Sequence, residues 1–428
     1  MKDKKSALAI HGGTPIMKNR LTEPHNIGVR EIAAAVRVMK KGPLSGFLGT
    51  NSPRFLGGEH ILGLESAFLK KFKTKYAVSF NSATTALHGA IVALEIGPGD
   101  EVIVPPYTMS ASAMAIIMNG AVPIFADIDE KTFCIDPRSV EKRITRYTKA
   151  IIVVNLFGQA ADFSELLRIA KKHKLKIIED NAQSPGALWR GRYTGTIGDI
   201  GIFSLNVHKV MQTGEGGMLI TNNSRYALRA QLCRNHGEAV VDKMEQYDAG
   251  PIFGSNYRMT EVTAAIARIQ LSRLDDLIKK RVALATLLTK GLSKIPGLTP
   301  AFTAQGNTHV YYRYPIKVDE EKLGITRDQL VDAMAAEGFG MSKGYVKPIY
   351  LLPVFQQQKA FNHTHFPFKS NYYAGKPNYK KGICPVTERL ETKEFTLTDV
   401  CQHPRTSKHV NLFLKALQKV LAHKSELQ

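Results

Sequence analysis

Between residues 76 and 180 the chain alternates short apolar runs with helix-patterned segments. Strands alternating with helices of about 10–15 residues define a mainly parallel sheet with helices on both faces, the architecture of an α/β large domain. Tyr76-Ala77-Val78-Ser79-Phe80 and Glu101-Val102-Ile103-Val104 read as strands, as do residues 122–126 and the unbroken run 150–155. Helical spacing fits 86–94, where Leu87, Ile91 and Leu94 share a side, and also 111–118, 139–143 and 163–173. Upstream, a helix over 31–40 stops at Lys41-Gly42-Pro43, and Gly57-Gly58 opens another with Ile61, Leu64, Phe68 and Phe72 on one face. One long helix is predicted over 260–289, and Pro296-Gly297 marks a boundary. Beyond it, 310–316 reads as a strand, and 326–337 and 410–421 read as helices of a smaller C-terminal α+β domain. The expected division is an N-terminal arm (1–28), a large domain (29–290) and a small domain (291–428). Residues 355–381, rich in Asn, Tyr, His and Lys and poorly periodic, are expected to form a long surface excursion or substrate loop.

In open α/β sheets, chemistry gathers in the loops at the carboxyl ends of the strands. Asn81–Thr85, Pro105–Tyr107 and Asp180–Gln183 all occupy that position. Twenty-nine residues after Asp180, Lys209 ends the stretch Phe203-Ser204-Leu205-Asn206-Val207-His208-Lys209 and runs into Thr213-Gly214-Glu215-Gly216-Gly217. One amine and one carboxylate, each just after a β-rich run, meet the needs of pyridoxal phosphate (PLP). The amine forms a Schiff base with the aldehyde, and the acid keeps the pyridine nitrogen protonated so that the ring withdraws electrons. The competing readings are an ordinary surface lysine and a capping aspartate. Two sources of phosphate binding are available. Ser82-Ala83-Thr84 opens a helix, whose first N–H groups attract anions, and Ser204 lies five residues before the lysine. Tyr107, at a strand end, is placed either to stack on the pyridine face or to pack in the core.

Composition excludes several classes. No apolar run approaches the roughly 18–20 residues of a membrane span, and no adequate apolar segment follows the basic start, so neither a membrane protein nor a secretory signal is expected. Cys134, Cys233, Cys384 and Cys401 lack metal-ligand spacing, which argues against zinc and suits a reducing cytoplasm. The net charge of +21 comes from 58 Lys+Arg against 37 Asp+Glu. It suits an anionic substrate or a solvated basic surface, with Lys70-Lys71, Lys171-Lys172 and Lys279-Lys280-Arg281 on helix faces. No recognition-helix or zinc-finger spacing supports nucleic-acid binding.

Five stretches together resemble the DegT/DnrJ/StrS sugar aminotransferases, a branch of the fold-type I PLP-dependent transferases. They are Gly42-Pro43-Leu44-Ser45, Asn81-Ser82-Ala83-Thr84, Glu179-Asp180-Asn181-Ala182, Phe203 to Met218, and Gly254-Ser255-Asn256-Tyr257-Arg258-Met259-Thr260-Glu261. The resemblance covers about residues 8–350, with a weaker echo in Cys384-Pro385-Val386-Thr387-Glu388-Arg389. It implies Lys209 as Schiff-base lysine and proton shuttle, Asp180 at the ring nitrogen and Gln183 at the phenolic oxygen. It also implies Ala83, Thr84 and Ser204 at the phosphate, with Tyr107 stacked above the ring. Asn256 or Arg258 would reach a neighbouring subunit's site, so a homodimer is implied. The chain departs from similar proteins at Asn206-Val207-His208, where a proline often precedes the lysine.

The expected reaction is transfer of an amino group from an amino acid, by resemblance L-glutamate, to a keto-sugar, foremost one carried on a nucleotide diphosphate. A keto-cyclitol is the nearest alternative, because Leu8-Ala9-Ile10-His11-Gly12-Gly13-Thr14-Pro15 also resembles aminotransferases of that kind. PLP-dependent sugar dehydration is a further alternative, opposed by Lys209, since histidine stands at that place in such relatives. A non-enzymatic regulator or nucleic-acid binder, prompted by the net charge of +21, is the remaining one.

Overall fold

The computed structural model describes residues 7–19, 25–237, 240 and 252–427. Its centre is a seven-stranded sheet in the order β1-β9-β8-β5-β4-β2-β3. The strands are β1 (Tyr76–Phe80), β2 (Glu101–Val104), β3 (Val122–Phe125), β4 (Thr148–Val154), β5 (Lys176–Asp180), β8 (Ile200–Ser204) and β9 (Gly217–Thr221). The hairpin β6 (Leu188–Trp189) and β7 (Arg192–Tyr193) stands apart. β8, β5, β4, β2 and β3 pair in parallel, and β9 runs antiparallel to both β8 and β1. All strands but β9 therefore point the same way, and their carboxyl ends form one rim. These strands are buried along nearly their whole length, which is why they read as continuous apolar runs.

Helix Ala83–Ala93 lies close on the sheet at Gly89. A Cβ added at Gly89 would come within 2.6 Å of the Phe80 ring. Helix Ala111–Met118 follows β2, and helix Phe163–His173, capped by Asp162, follows β4. Helices Val29–Lys41 and Glu59–Phe72 pack on Glu261–Ser272.

A second core gathers round a three-stranded antiparallel sheet, β10 (Leu298–Thr299), β11 (Tyr314–Val318) and β12 (Phe395–Thr398). Helices Leu274–Leu292, Arg327–Ala336 and Ser407–Ala422 cover it. Leu8 is fully buried in this core, and Glu337 accepts hydrogen bonds from the N–H groups of Ala9 and Ile16, so residues 7–19 are tied to the C-terminal part of the chain.

Four local expectations change. The long helix over 260–289 is two helices, Glu261–Ser272 and Leu274–Leu292. They break at Arg273, whose guanidinium turns towards Glu31 and the carbonyl of Asn26. The strand expected over 310–316 begins only at Tyr314, because Tyr311 adopts a left-handed φ of 48°. Arg281, expected on a solvated face, is buried and donates to the carbonyls of Tyr311 and Tyr312. Residues 355–381 are irregular but not a loose excursion. Phe355, Phe368, Tyr373 and Tyr379 join the main core, with Phe355 5.1 Å from Phe125 ring to ring. Tyr373 O–H donates to Glu101 and Tyr379 O–H to the Pro123 carbonyl, so the segment covers the exposed edge at β3. Aromatic residues separated by polar ones hide their burial from periodicity. No helix among the described residues is long and apolar enough to cross a membrane.

Candidate active site

The strand rim brings the expected residues together. Asp180 is the last residue of β5, Ser204 the last of β8, and Gly217 the first of β9, in register with both Ser204 and Phe80. The chain leaving β1 crosses so close that a Cβ at Gly217 would sit 2.3 Å from the Ser82 carbonyl oxygen. Only glycine lets the start of helix Ala83–Ala93 lie beside Ser204.

Asp180 is buried. It accepts from Ser112 O–H at 2.7 Å and from the Ala182 N–H at 3.2 Å. Burial raises its carboxyl above the ordinary aspartate range, while Ser112, Ala182 and the nearby charge of Lys209 pull it down. Lys209 as a whole is half-buried, but its amine end is shut away from water. Burial pushes that amine below the ordinary lysine range, and Tyr345 and Asp180 oppose the shift. The Nζ atom lies 4.6 Å from the centre of the Tyr312 ring. The amine and the acid are thus within electrostatic reach of each other, each desolvated.

Gln183 has a fixed orientation. Its Oε1 accepts from the Phe157 N–H at 2.9 Å, and its Nε2 donates to the Tyr345 hydroxyl at 2.9 Å, leaving a second N–H free to face a ligand. Tyr107 is fully buried, meets Tyr345 and Phe395 edge-on, and donates its O–H to Glu391 at 2.8 Å. The same Glu391 oxygen accepts from the Tyr345 N–H, so one carboxylate joins the end of β2 to the 341–350 segment.

Ser82 caps helix Ala83–Ala93 by accepting from Thr85 N–H. The N–H groups of Ala83 and Thr84 find no acceptor within the described chain. Asn256 and Arg258 flank Tyr257, whose carbonyl accepts from the Asn81 N–H just before helix Ala83–Ala93. Arg258 donates to the side-chain oxygens of Asn256 and Asn235, and Asn256 bridges to Asn235. Neither bonds to Lys209, Asp180 or Gln183.

Pyridoxal phosphate fits the residues present. A buried carboxylate whose side-chain partner is only a hydroxyl is a counter-charge for a ring N–H⁺. Two unpaired N–H groups at a helix start beside the Ser204 hydroxyl suit a phosphate. The surface cavity of about 500 Å³ between Asp129 and Asn307 contains none of these groups. Sequence reasoning missed Ser112, Phe157, Tyr312, Tyr345 and Glu391. Ser112 and Phe157 were accessible in principle, since Ser112 lies in the helix after β2 and Phe157 in the turn after β4; Tyr312, Tyr345 and Glu391 lie far along the chain with no periodic signal.

The DegT/DnrJ/EryC1/StrS aminotransferase family model matches residues 49–378, and the chain belongs to that family of PLP-dependent sugar aminotransferases. It is 38% identical to the GDP-perosamine synthase of Caulobacter vibrioides over 70% of this chain and 79% of that protein. It is 33% identical to the L-glutamine:2-deoxy-scyllo-inosose aminotransferase of Streptoalloteichus tenebrarius over 98% of this chain and 99% of that one. An aminotransferase structure from Psychrobacter cryohalolentis matches with a TM-score of 0.80 at 29% identity, covering 94% of this chain and 98% of the other.

Proposed function

We propose that this aminotransferase moves an amino group from L-glutamate to a keto-sugar carried on a nucleotide, with Lys209 and Asp180 as its catalytic pair. The observation that carries the reading is the buried amine held within electrostatic reach of a buried carboxylate at the strand rim. PLP, when bound, supplies the aldehyde that accepts the amino group and the ring that takes up carbanion density. In this reading Asp180 holds the ring nitrogen, and the spare Nε2 hydrogen of Gln183 faces the phenolic oxygen. The Ala83 and Thr84 N–H groups with Ser204 hold the phosphate, and Tyr107 lines the ring face. The low proton affinity of Lys209 leaves it able to attack the aldehyde. Its Nζ would be the group that takes a proton from the donor's α-carbon and later gives it back, as general base and then acid.

We also infer a homodimer. On helix Val29–Lys41, Val29, Ile32, Val36 and Met39 form an exposed apolar stripe opposite the face packed on Glu261–Ser272. A second copy covering it accounts for Asn256 and Arg258 making no bond to this chain's own site. The four cysteines are all free and buried, which suits the cytoplasm.

The nucleotide-linked sugar is supported by similarity to GDP-perosamine synthase and by the excess of basic residues. A keto-cyclitol substrate is the second reading. Its support is the relative named for 2-deoxy-scyllo-inosose, which aligns over almost the entire chain, including the aromatic segment at β3. Mass analysis after incubation with nucleotide keto-sugars and scyllo-inososes, each with glutamate or glutamine, decides between them. Amination of the cyclitol alone overturns the first reading, and 2-oxoglutaramate in place of 2-oxoglutarate overturns glutamate as donor.

A further inference from the structure

The turn His309–Tyr312 is held by an unusual number of buried groups. Tyr311 has a φ of 48°, a costly conformation for a residue with a side chain. His309 stacks on the Tyr311 ring at 4.0 Å and accepts from the Tyr311 N–H through Nδ1. Burial pushes His309 down to about 3, so it stays neutral and able to accept. Arg281 Nη1 donates to the carbonyls of Tyr311 and Tyr312, each at 3.1 Å, and Gln402 Nε2 donates to the Tyr312 carbonyl at 2.8 Å. Gly158 passes so near that a Cβ there would lie 2.6 Å from the Tyr311 nitrogen. This scaffold fixes the backbone of Tyr312, whose ring lies under the Lys209 amine at 4.6 Å from its centre.

We propose that the face of Tyr312 is the docking place of the protonated Lys209 amine, holding the charged lysine while it is free of the cofactor. The proposal rests on Lys209 being the cofactor-bound lysine. An aromatic face attracts an ammonium through its quadrupole and has little hold on a neutral amine. It therefore steadies Lys209 while it carries a proton and releases it once the proton is given up. Tyr312 touches the reacting nitrogen and acts as a further catalytic residue; Arg281, Gln402 and His309 are positioning residues behind it.

Other titratable groups also surround the amine. Asp180 and Tyr345 lie on one side, and across a small cavity are His25, His208, Arg281 and His403. A test must leave all of these in place and weaken only the ring face. Tyr312 is replaced by phenylalanine and by its mono-, di- and trifluoro analogues, which keep the ring's shape while draining its face of electron density, and by leucine. Each full-length protein, freed of cofactor, is mixed with pyridoxal phosphate across a pH series. Capture is followed by absorbance, and the labelled residue is mapped after borohydride reduction. The ring face favours the charged amine, so weakening it lowers the amine's proton affinity and moves the rise of capture to lower pH. The midpoint is expected to fall stepwise along the series, by about 0.5–1.5 pH units from phenylalanine to the weakest face. A midpoint that does not move along the fluorinated series overturns the proposal. Label on a residue other than Lys209 in the unsubstituted protein overturns instead the reading on which it rests.

Discussion

Replacing Asp180 by asparagine separates a cofactor partner from a structural cap, because the two roles predict opposite signs. The side chains have the same shape, and an amide can still accept from the Ala182 N–H and pair with Ser112, whose hydroxyl rotates. What disappears is the charge. Hydrogen bonds to charged groups contribute about 1.5–3 kcal/mol and neutral ones about 0.5–1.5, so the exchange at the ring nitrogen loses roughly 1–1.5 kcal/mol. That corresponds to about a ten-fold weaker hold on PLP. The rate of the glutamate half-reaction falls by at least as much, since the ring is less often protonated. Stability moves the other way. The Asp180 carboxyl is raised by burial, so the folded chain holds its proton more tightly than the unfolded chain does. Stability is accordingly lost as pH rises from the ordinary aspartate range through the folded value, and at neutral pH the cofactor-free Asp180→Asn protein should melt higher than the parent. Fluorescence titration with PLP, stopped-flow absorbance with glutamate and thermal melts read the three effects. Parental affinity and rate together with a lowered melting point would refute the reasoning and leave Asp180 as a cap.

Lys209→Met should abolish transamination and raise the melting point of the cofactor-free protein at neutral pH. The lysine is depressed by burial and costs stability as pH falls from the ordinary lysine range through its folded value. A lower melting point contradicts that. Glu391→Ala leaves the Tyr107 O–H and the Tyr345 N–H without their acceptor, and urea unfolding should show a loss of about 2–5 kcal/mol. A change within 0.5 kcal/mol, about the effect of a surface substitution, counts against Glu391 tying the end of β2 to the 341–350 segment. Ile32→Glu combined with Val36→Glu places charges on the apolar stripe of helix Val29–Lys41. Sedimentation should then show monomer and activity should fall; an unchanged dimer means that the stripe serves something else.

Much of the large sheet was legible in the sequence because its strands are buried on both faces and its helices carry one apolar side. Tyr76–Phe80, Glu101–Val104 and helix Phe163–His173 fall where pattern alone puts them. The strand-end loops were legible for the same reason: once the strands are placed, Asp180, Ser82 and Tyr107 must share one rim. What escaped depends on contacts remote in sequence. Arg273 breaks a helix because Glu31 and Asn26, more than 200 residues away, draw its side chain. Tyr345 and Tyr312 reach Lys209 from the C-terminal third of the chain, on backbone fixed by Glu391 and by Arg281 and Gln402. Residues 355–381 were opaque because their burial runs through isolated aromatic rings and not through a period.

Catalysis in this enzyme depends on a covalent link between one amine and the cofactor. Loading the protein with pyridoxal phosphate, reducing it with borohydride and sequencing the peptides by mass tests that link without knowledge of the substrate. A single reduced phosphopyridoxyl group on Lys209 is the expected result. A label on another lysine, or no label in protein that is folded and saturated with cofactor, contradicts it.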